Sequence, residues 1–250
     1  MRTGKLGAVG EVSRLALGGG GLGQVWGQTT REEALATVRA AVDAGVTVMD
    51  CAPMYRDAES VLGEAFGGRP PAHLKFTSKH QLGSPAPHEV SERLVRSLEA
   101  SLEAMRLPRI DLFFLHSNLH ADGFAYAHGD DAKDRFSTAL SIYEAEVVPA
   151  MERLKAQGRI GAWGITGIGV PTAVLAALES VSLVTLFEES MPLNLIERVH
   201  PDVYVKGGDY DMATLAETAL VQTWGGRSVA IPFVEGRSTT ALVQRIRESS

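Results

Sequence analysis

Short apolar runs alternate with helix-patterned segments from one end of this chain to the other, and few folds accept such an alternation. Val46-Thr-Val-Met-Asp50, Lys75-Phe-Thr-Ser-Lys79, Asp111-Leu-Phe-Phe-Leu-His116 and Ile160-Gly-Ala-Trp-Gly-Ile165 read as strands. Thr30-Arg-Glu-Glu33 is a capping box that opens a helix running to Ala44 and stopped by Gly45. A second helix spans 58–66, closed by Gly67-Gly68. A third, over 87–105, carries Val90, Leu94, Leu98, Leu102 and Met105 at three-to-four spacing, and a fourth covers 139–157. Strand 111–116 is continuously apolar, as in a sheet covered on both faces.

Val12 to Leu17 reads as a lead-in strand before Gly18-Gly-Gly-Gly-Leu-Gly23. The next helix starts only near Thr30, so the glycine run is expected to be a hairpin turn and not a pyrophosphate loop. The segment 117–137 reads as one long polar loop over the mouth of the site. Further on come Leu183-Val-Thr-Leu-Phe187, a helix over 192–199, Asp202-Val-Tyr-Val-Lys206, a helix over 212–223, Ser228-Val-Ala-Ile-Pro-Phe-Val234 and a last helix from Thr239. The sum is an α/β chain with about seven core strands, which suits either a (β/α) barrel or a doubly wound sheet.

With 250 residues, of which 45% are hydrophobic and 22% charged, the chain has enough apolar material for one large or two small domains. A net charge of −6 gives no general attraction to polyanions, so no nucleic-acid partner is expected. The single cysteine, Cys51, excludes an internal disulfide framework. No run of about 18 apolar residues occurs and the first ten residues lack a signal-peptide core, so no membrane partner and a cytoplasmic location are expected. Oligomeric state is not written in the sequence.

Four polar side chains, Asp50, Tyr55, Lys79 and His116, fall at or just past the carboxyl ends of these strands, where parallel α/β proteins hold their ligands. Asp50 with Lys79 alone reads as a strand-end ion pair, and Tyr55 alone as a loop aromatic; the set of four reads as proton-transfer machinery. Reducing a carbonyl by hydride transfer puts negative charge on its oxygen and requires a proton donor. A phenol beside a lysine ammonium becomes such a donor, a carboxylate holds the lysine charged, and a histidine hydrogen-bonds the substrate oxygen. His116 and His120 have the i, i+4 spacing of a helical zinc pair, but they follow a strand into a loop, and no metal is expected.

Met49-Asp-Cys-Ala-Pro-Met-Tyr55 with Glu59-Ser-Val-Leu-Gly63, then Thr77-Ser-Lys79, then Ile110-Asp-Leu-Phe-Phe-Leu-His116, resembles the aldo-keto reductase family over about residues 5–170. The resemblance implies a (β/α) barrel of the TIM type, NADPH as cofactor, a small-molecule carbonyl substrate, and Asp50, Tyr55, Lys79 and His116 as catalytic residues. It also implies contact of Asp50 with the cofactor. Gly164-Ile-Thr-Gly167 stands where many members have a serine-asparagine pair that holds the nicotinamide amide, so Thr166 is the expected cofactor contact there.

From about residue 174 the pattern changes. Phe187-Glu-Glu-Ser-Met-Pro192, Val205-Lys-Gly-Gly-Asp-Tyr210 and Pro232-Phe-Val-Glu-Gly-Arg-Ser-Thr-Thr240 resemble the carboxyl part of the heptose 1-phosphate adenylyltransferases. That resemblance implies a Rossmann-like nucleotidyltransferase segment, although the His-x-x-His signature of such enzymes is missing ahead of residue 174. The chain therefore reads as a composite: residues 1–172 an incomplete or irregular barrel, residues 173–250 a nucleotidyltransferase-like βα segment. Gly236-Arg-Ser-Thr-Thr240 precedes a helix as phosphate-binding turns do, which makes Arg237, Ser238 and Thr239 candidate contacts for the cofactor phosphate. The leading expectation is an NADPH-dependent carbonyl reductase; the alternatives are a nucleotide-binding or adenylyltransferase-like protein relying on Lys206, and a catalytically silent hybrid.

Overall fold

The structure, a computed structural model, describes residues 1–125, 134–178, 181, 184–185, 191–208 and 210–232. The chain forms two compact units, Met1–Val184 and Thr185–Ser250.

The first unit opens with an antiparallel hairpin, β1 (Thr3–Leu6) with β2 (Gly10–Ser13). Its centre is a five-stranded parallel sheet of β3 (Ala16–Gly18), β4 (Val48–Asp50), β5 (Lys75–His80), β6 (Ile110–Leu115) and, after the short strands β7 (Asn118–His120) and β8 (Ser137–Ala139), β9 (Ile160–Ile165). The order across the sheet is β3-β4-β5-β6-β9, the order along the chain, with no reversal. A doubly wound sheet has such a reversal and a barrel does not, so the strand order is that of a (β/α) barrel. Among the described residues the sheet stays open: no strand pairs with the outer edge of β3 or of β9.

Of the helices, α1 (Gly19–Leu22) is a single turn. The longer ones are α2 (Arg31–Asp43), α3 (Ala58–Phe66), α4 (Val90–Met105) and α5 (Val148–Ala156), which a three-residue turn and the π-helical segment Tyr143–Val147 lead into; α6 (Pro171–Ala176) ends the unit. The expected capping box forms: Thr30 Oγ1 accepts from the Glu33 amide at 3.2 Å, and the Thr30 amide donates to Glu33 Oε2 at 2.8 Å. The apolar stripe of α4 is buried throughout, with Leu94 and Leu98 fully covered. It packs with Val38, Leu62, Phe113 and Met151 in one core between the sheet and the helices.

Strand register assigns the two faces. Asp50 pairs with Thr77, Thr77 with Leu112 and Lys79 with Phe114, so these residues share the inner face. Phe76, Ser78 and Phe113 face the helices, where Ser78 Oγ donates to the buried Glu59 carboxylate at 2.6 Å. Burial pushes the Glu59 carboxyl above its ordinary range, against the hydroxyls of Ser78 and Ser101.

Four expectations are corrected. Strand 111–116 is not covered on both faces: Phe113 and Leu115 are buried, while Leu112 and Phe114 on the inner face are only half-buried, because the sheet does not close over them. The glycine run is a helical turn and not a hairpin. The lead-in strand is two, β2 in the hairpin and β3 in the sheet. The segment 117–137 also holds structure, since β7 and β8 pair in parallel across it.

The second unit contains α7 (Leu193–Val199), then β10 (Val203–Gly207), α8 (Ala216–Gln222) and β11 (Arg227–Ile231), in which β10 and β11 pair in parallel. A parallel pair linked through a helix is a βαβ unit, the element from which Rossmann-like folds are built. Lys206 Nζ donates to the buried Glu217 carboxylate at 3.2 Å and stands 4.5 Å from the centroid of the Tyr210 ring. Of the expected strand over 183–187 only residues 184–185 are described, and they are not in a strand; the final helix and the candidates Arg237, Ser238 and Thr239 lie outside the described residues. No helix among the described residues is long and apolar enough to cross a membrane.

Candidate active site

Four of the five strands of the sheet deliver one polar residue each to the same edge. Asp50 ends β4, Lys79 lies next to the end of β5, His116 follows β6 and Thr166 follows β9. Parallel pairing makes this unavoidable: strands that run the same way and start in register finish together.

Lys79 is the hub. It is 8% exposed, and its ammonium donates to Asp50 Oδ1 at 2.7 Å, Asp50 Oδ2 at 2.8 Å and the Cys51 carbonyl at 2.9 Å. An ammonium has three protons, so all three are engaged. Asp50 also accepts from Thr77 Oγ1 at 2.6 Å. A buried ammonium is costly without a counter-charge, and the Asp50 carboxylate supplies one in two-point contact.

Tyr55 comes from the 3-10 turn Pro53–Tyr55 and offers its ring to the same ammonium, which stands 4.8 Å from the ring centroid. This is a cation–π contact with the ring and not a hydrogen bond to the phenol oxygen. His116 lines a cavity of about 200 Å³ together with Pro53, Met54, Lys79, His80 and Gln81. Burial, reinforced by the Lys79 charge and opposed by Asp50, holds its imidazole below the usual histidine range, which favours the neutral ring near pH 7. His116 Nδ1 is buried and has no hydrogen-bond partner among the described residues. Thr166 directs its hydroxyl toward the Leu115 carbonyl at 3.4 Å, a long and weak contact. The structure thus brings Asp50, Tyr55 and Lys79 into contact, sets His116 in the cavity that Lys79 lines, and leaves Thr166 two strands away from Lys79 on the same sheet edge.

The role of the glycine run emerges only in three dimensions. A Cβ on Gly23 would lie 1.6 Å from the Tyr55 carbonyl oxygen, and one on Gly19 would lie 2.9 Å from the Asp50 carbonyl oxygen. The turn rests directly on the backbone that presents the site. Gly23→Ala is therefore expected to cost about 1–3 kcal/mol through overpacking and to displace Tyr55. A urea melt measures the first effect, and loss of the upfield ring shifts that Tyr55 induces at Lys79 in NMR spectra measures the second; a variant unchanged in both would deny the contact.

His80 gives the site a pH limit. Burial, with the Arg93 charge adding to it, pushes this imidazole down to about 4. An unfolded histidine titrates near 6.5. Between those values the unfolded state binds more protons than the folded one, so stability falls as pH drops from about 6.5 toward 4. The slope from this one group is at most about 1.4 kcal/mol per pH unit. Urea melts at several pH values across that window are expected to show a shallower slope for His80→Leu than for the unaltered chain, and parallel slopes would contradict the assignment.

No group of three metal-ligating side chains occurs among the described residues. His120, the second member of the spaced pair, sits in β7 with Nδ1 2.8 Å from the Ala121 carbonyl.

A parallel, sequentially ordered sheet with polar groups gathered at its carboxyl edge defines a (β/α)-barrel type of protein. Residues 14–201 match the Aldo/keto reductase family, and the chain belongs to that family. Among solved structures it is similar to PA4992 of Pseudomonas aeruginosa, with a TM-score of 0.53 and 23% identity over 91% of this chain and 76% of that one. It is likewise similar to the Bombyx mori aldo-keto reductase AKR2E4, a complex with NADP, with a TM-score of 0.52 and 19% identity over 98% of this chain and 76% of that one. At these identities the likeness is one of fold.

A 76-residue stretch, 30% of this chain, is 62% identical to D-beta-D-heptose 1-phosphate adenylyltransferase of Bordetella bronchiseptica and covers 47% of that protein. Bifunctional protein HldE of Nitrobacter hamburgensis is 47% identical over 96 residues, 38% of this chain and 19% of the relative. The chain spans less than half the length of either relative.

Proposed function

We propose that this chain is an NADPH-dependent oxidoreductase that reduces a small aldehyde, ketone or sugar carbonyl, with Tyr55 as proton donor. The observation that carries the reading is the Lys79 ammonium, held by Asp50 on one side and facing the Tyr55 ring on the other, beside a cavity that contains His116. An ammonium near a phenol stabilises the phenolate left after proton transfer. The Lys79 bond to the Cys51 carbonyl is the one free to turn toward the Tyr55 oxygen, since the two bonds to Asp50 anchor the charge. His116, as a neutral imidazole, orients the substrate oxygen.

The residues fit the nicotinamide end of the cofactor: the Thr166 hydroxyl is weakly engaged, and His116 Nδ1 is a buried polar atom without a partner among the described residues. When bound, NADPH would supply the hydride for the carbonyl carbon, and Tyr55 would give its proton to the oxygen. Arg237, Ser238 and Thr239 are proposed to hold the cofactor phosphate. In this reading residues 1–172 are the reductase segment and residues 173–250 the nucleotidyltransferase-like one.

The test is a fluorescence titration with NADPH, followed by the decay of NADPH absorbance with 4-nitrobenzaldehyde. Saturable binding with turnover is expected, and binding of neither cofactor nor aldehyde would end the reading. A second reading, a nucleotide site near Lys206, rests on the identity with the heptose 1-phosphate adenylyltransferase. ATP titrated in parallel separates the two, because Lys206→Met should weaken ATP and leave NADPH unchanged.

A further inference from the structure

We propose that Glu59 is a positioning residue for the reductase site: through the hydroxyls of Ser78 and Ser101, its buried carboxyl ties the turn that carries Tyr55 to the strand that carries Lys79. The catalytic consequence rests on the reductase reading; the positioning itself does not.

On one side the link runs through the backbone. Glu59 lies in the first turn of α3, which begins at Ala58, just past the 3-10 turn that ends at Tyr55. The chain between them has little freedom. The Asp57 carbonyl accepts from the Val61 amide at 2.9 Å and from Ser60 Oγ at 2.8 Å, Arg56 Nη1 donates to the Gln24 carbonyl at 3.2 Å, and Ala58 is fully buried. Arg56 itself sits at φ +52°, a conformation that is costly for a non-glycine residue and persists only where its surroundings over-determine it. Whatever fixes the first turn of α3 therefore fixes Tyr55.

On the other side the link runs through the side chain, to β5. Side chains alternate along a strand, so Ser78 turns to the helices while Lys79 turns to the inner face. Ser78 Oγ donates to Glu59 Oε1 at 2.6 Å and lies 3.2 Å from Ser101 Oγ on α4. Glu59 is 5% exposed and neither serine is exposed at all, so no solvent competes for these bonds. One helical turn further along α3, Gly63 packs so closely on α4 that a Cβ would meet the Ala104 carbonyl oxygen at 2.3 Å. Glu59 and Gly63 thus share the face of α3 that meets α4, and the carboxyl joins α3, α4 and β5 at one point.

Lys79 is the strand residue next to this junction. Its bonds to Asp50 and the Cys51 carbonyl set its ammonium against the end of β4. Its 4.8 Å separation from the centre of the Tyr55 ring depends also on how far the start of α3 stands from β5. The Glu59–Ser78 bond spans that gap. Burial pushes the Glu59 carboxyl above its ordinary range, against the two hydroxyls, so the means of positioning is hydrogen bonding and not charge.

Position and turnover are read separately on the full chain. In NMR spectra of protein labelled at lysine Cε, the Lys79 signal, identified by its loss in Lys79→Met, carries the upfield shift of the Tyr55 ring. Ser78→Ala and Glu59→Ala are expected to lose most of that shift, and Glu59→Gln, which still accepts from Ser78, to keep it. With NADPH and 4-nitrobenzaldehyde, Ser78→Ala should lower kcat about tenfold at unchanged KM, the scale of a small misplacement of a catalytic group. In a Lys79→Met background it should cost nothing further, because a residue that acts through another is not additive with it. Val38→Ala, a core truncation in α2, should lower the urea midpoint and move neither the shift nor kcat. If Glu59→Ala does not fold, Ser78→Ala and Glu59→Gln decide. An unchanged Lys79 shift in Ser78→Ala, a loss of kcat that multiplies with Lys79→Met, a Glu59→Gln variant that loses the shift, or equal effects from Val38→Ala would each overturn the proposal. Should the unaltered chain reduce no carbonyl, the reductase reading falls and the Lys79 shift alone decides whether Glu59 positions the pair.

Discussion

Replacing Tyr55 by phenylalanine should lower kcat for aldehyde reduction by about 10²–10⁴-fold, the usual worth of a positioned general acid, while NADPH affinity stays within about twofold. The substitution removes one oxygen and keeps the ring. The ring is what touches Lys79, at 4.8 Å from the centroid, so the contact that orders this part of the site survives in the variant. The half-buried packing of Tyr55 against the core is likewise kept. The loss should thus fall on the chemical step and not on binding. Initial rates of NADPH oxidation against a fluorescence binding curve make the separation. A variant with undiminished kcat would remove Tyr55 from the chemistry.

The elements that positioned these residues were legible where the signal is local. Strand 160–165 announces itself as a short apolar run bounded by polar or glycine residues. The α2 capping box is written in four consecutive residues, and the stripe from Val90 to Met105 has an unbroken helical period. What escaped depends on contacts distant in sequence. β3 is three residues long, Ala16–Gly18, and becomes a sheet strand only by pairing with Val48–Asp50. The β7–β8 pair joins residues about twenty positions apart, with nothing in Asn118–His120 to distinguish it from loop. The glycine run reads as conformational freedom, whereas Gly19 and Gly23 serve closeness to Asp50 and Tyr55, a quantity that no local pattern encodes. The inner-face exposure of Leu112 and Phe114 is also nonlocal, since it depends on what packs across the face of the sheet. Asp50, Lys79 and His116 could be placed because strand ends are local features and parallel strands share an edge. That Lys79 would face the Tyr55 ring, with its three protons on Asp50 and Cys51, could not be.

Removing the ammonium should be nearly as costly as removing the phenol, for a different reason. Lys79→Met keeps most of the apolar length of the side chain but leaves Asp50 with the Thr77 hydroxyl alone. Breaking a buried pair by deleting one partner typically costs about 3–5 kcal/mol. The Asp50 side chain here is 32% exposed, so water recovers part of that and about 1–3 kcal/mol is expected. Asp50→Asn leaves the complementary defect, an ammonium with only neutral acceptors. The double variant should therefore be more stable than the sum of the single losses predicts, by about 0.5–3 kcal/mol in a urea cycle, as for other groups in direct contact. Additive losses would mean that the pair does not act as a unit. Catalysis supplies the sharper cycle. If Lys79 acts by stabilising the phenolate, its effect on kcat exists only while Tyr55 has a proton to give. Lys79→Met alone should reduce kcat by about 10²-fold or more, as losing one stabilising charge or donor commonly does. In the Tyr55→Phe background the same substitution should change kcat by no more than a few fold, because residues that act through one another are strongly non-additive. Two independent, multiplying losses would show instead that Lys79 works on the substrate or cofactor directly, with its contact to the Tyr55 ring serving only to pack the strand end.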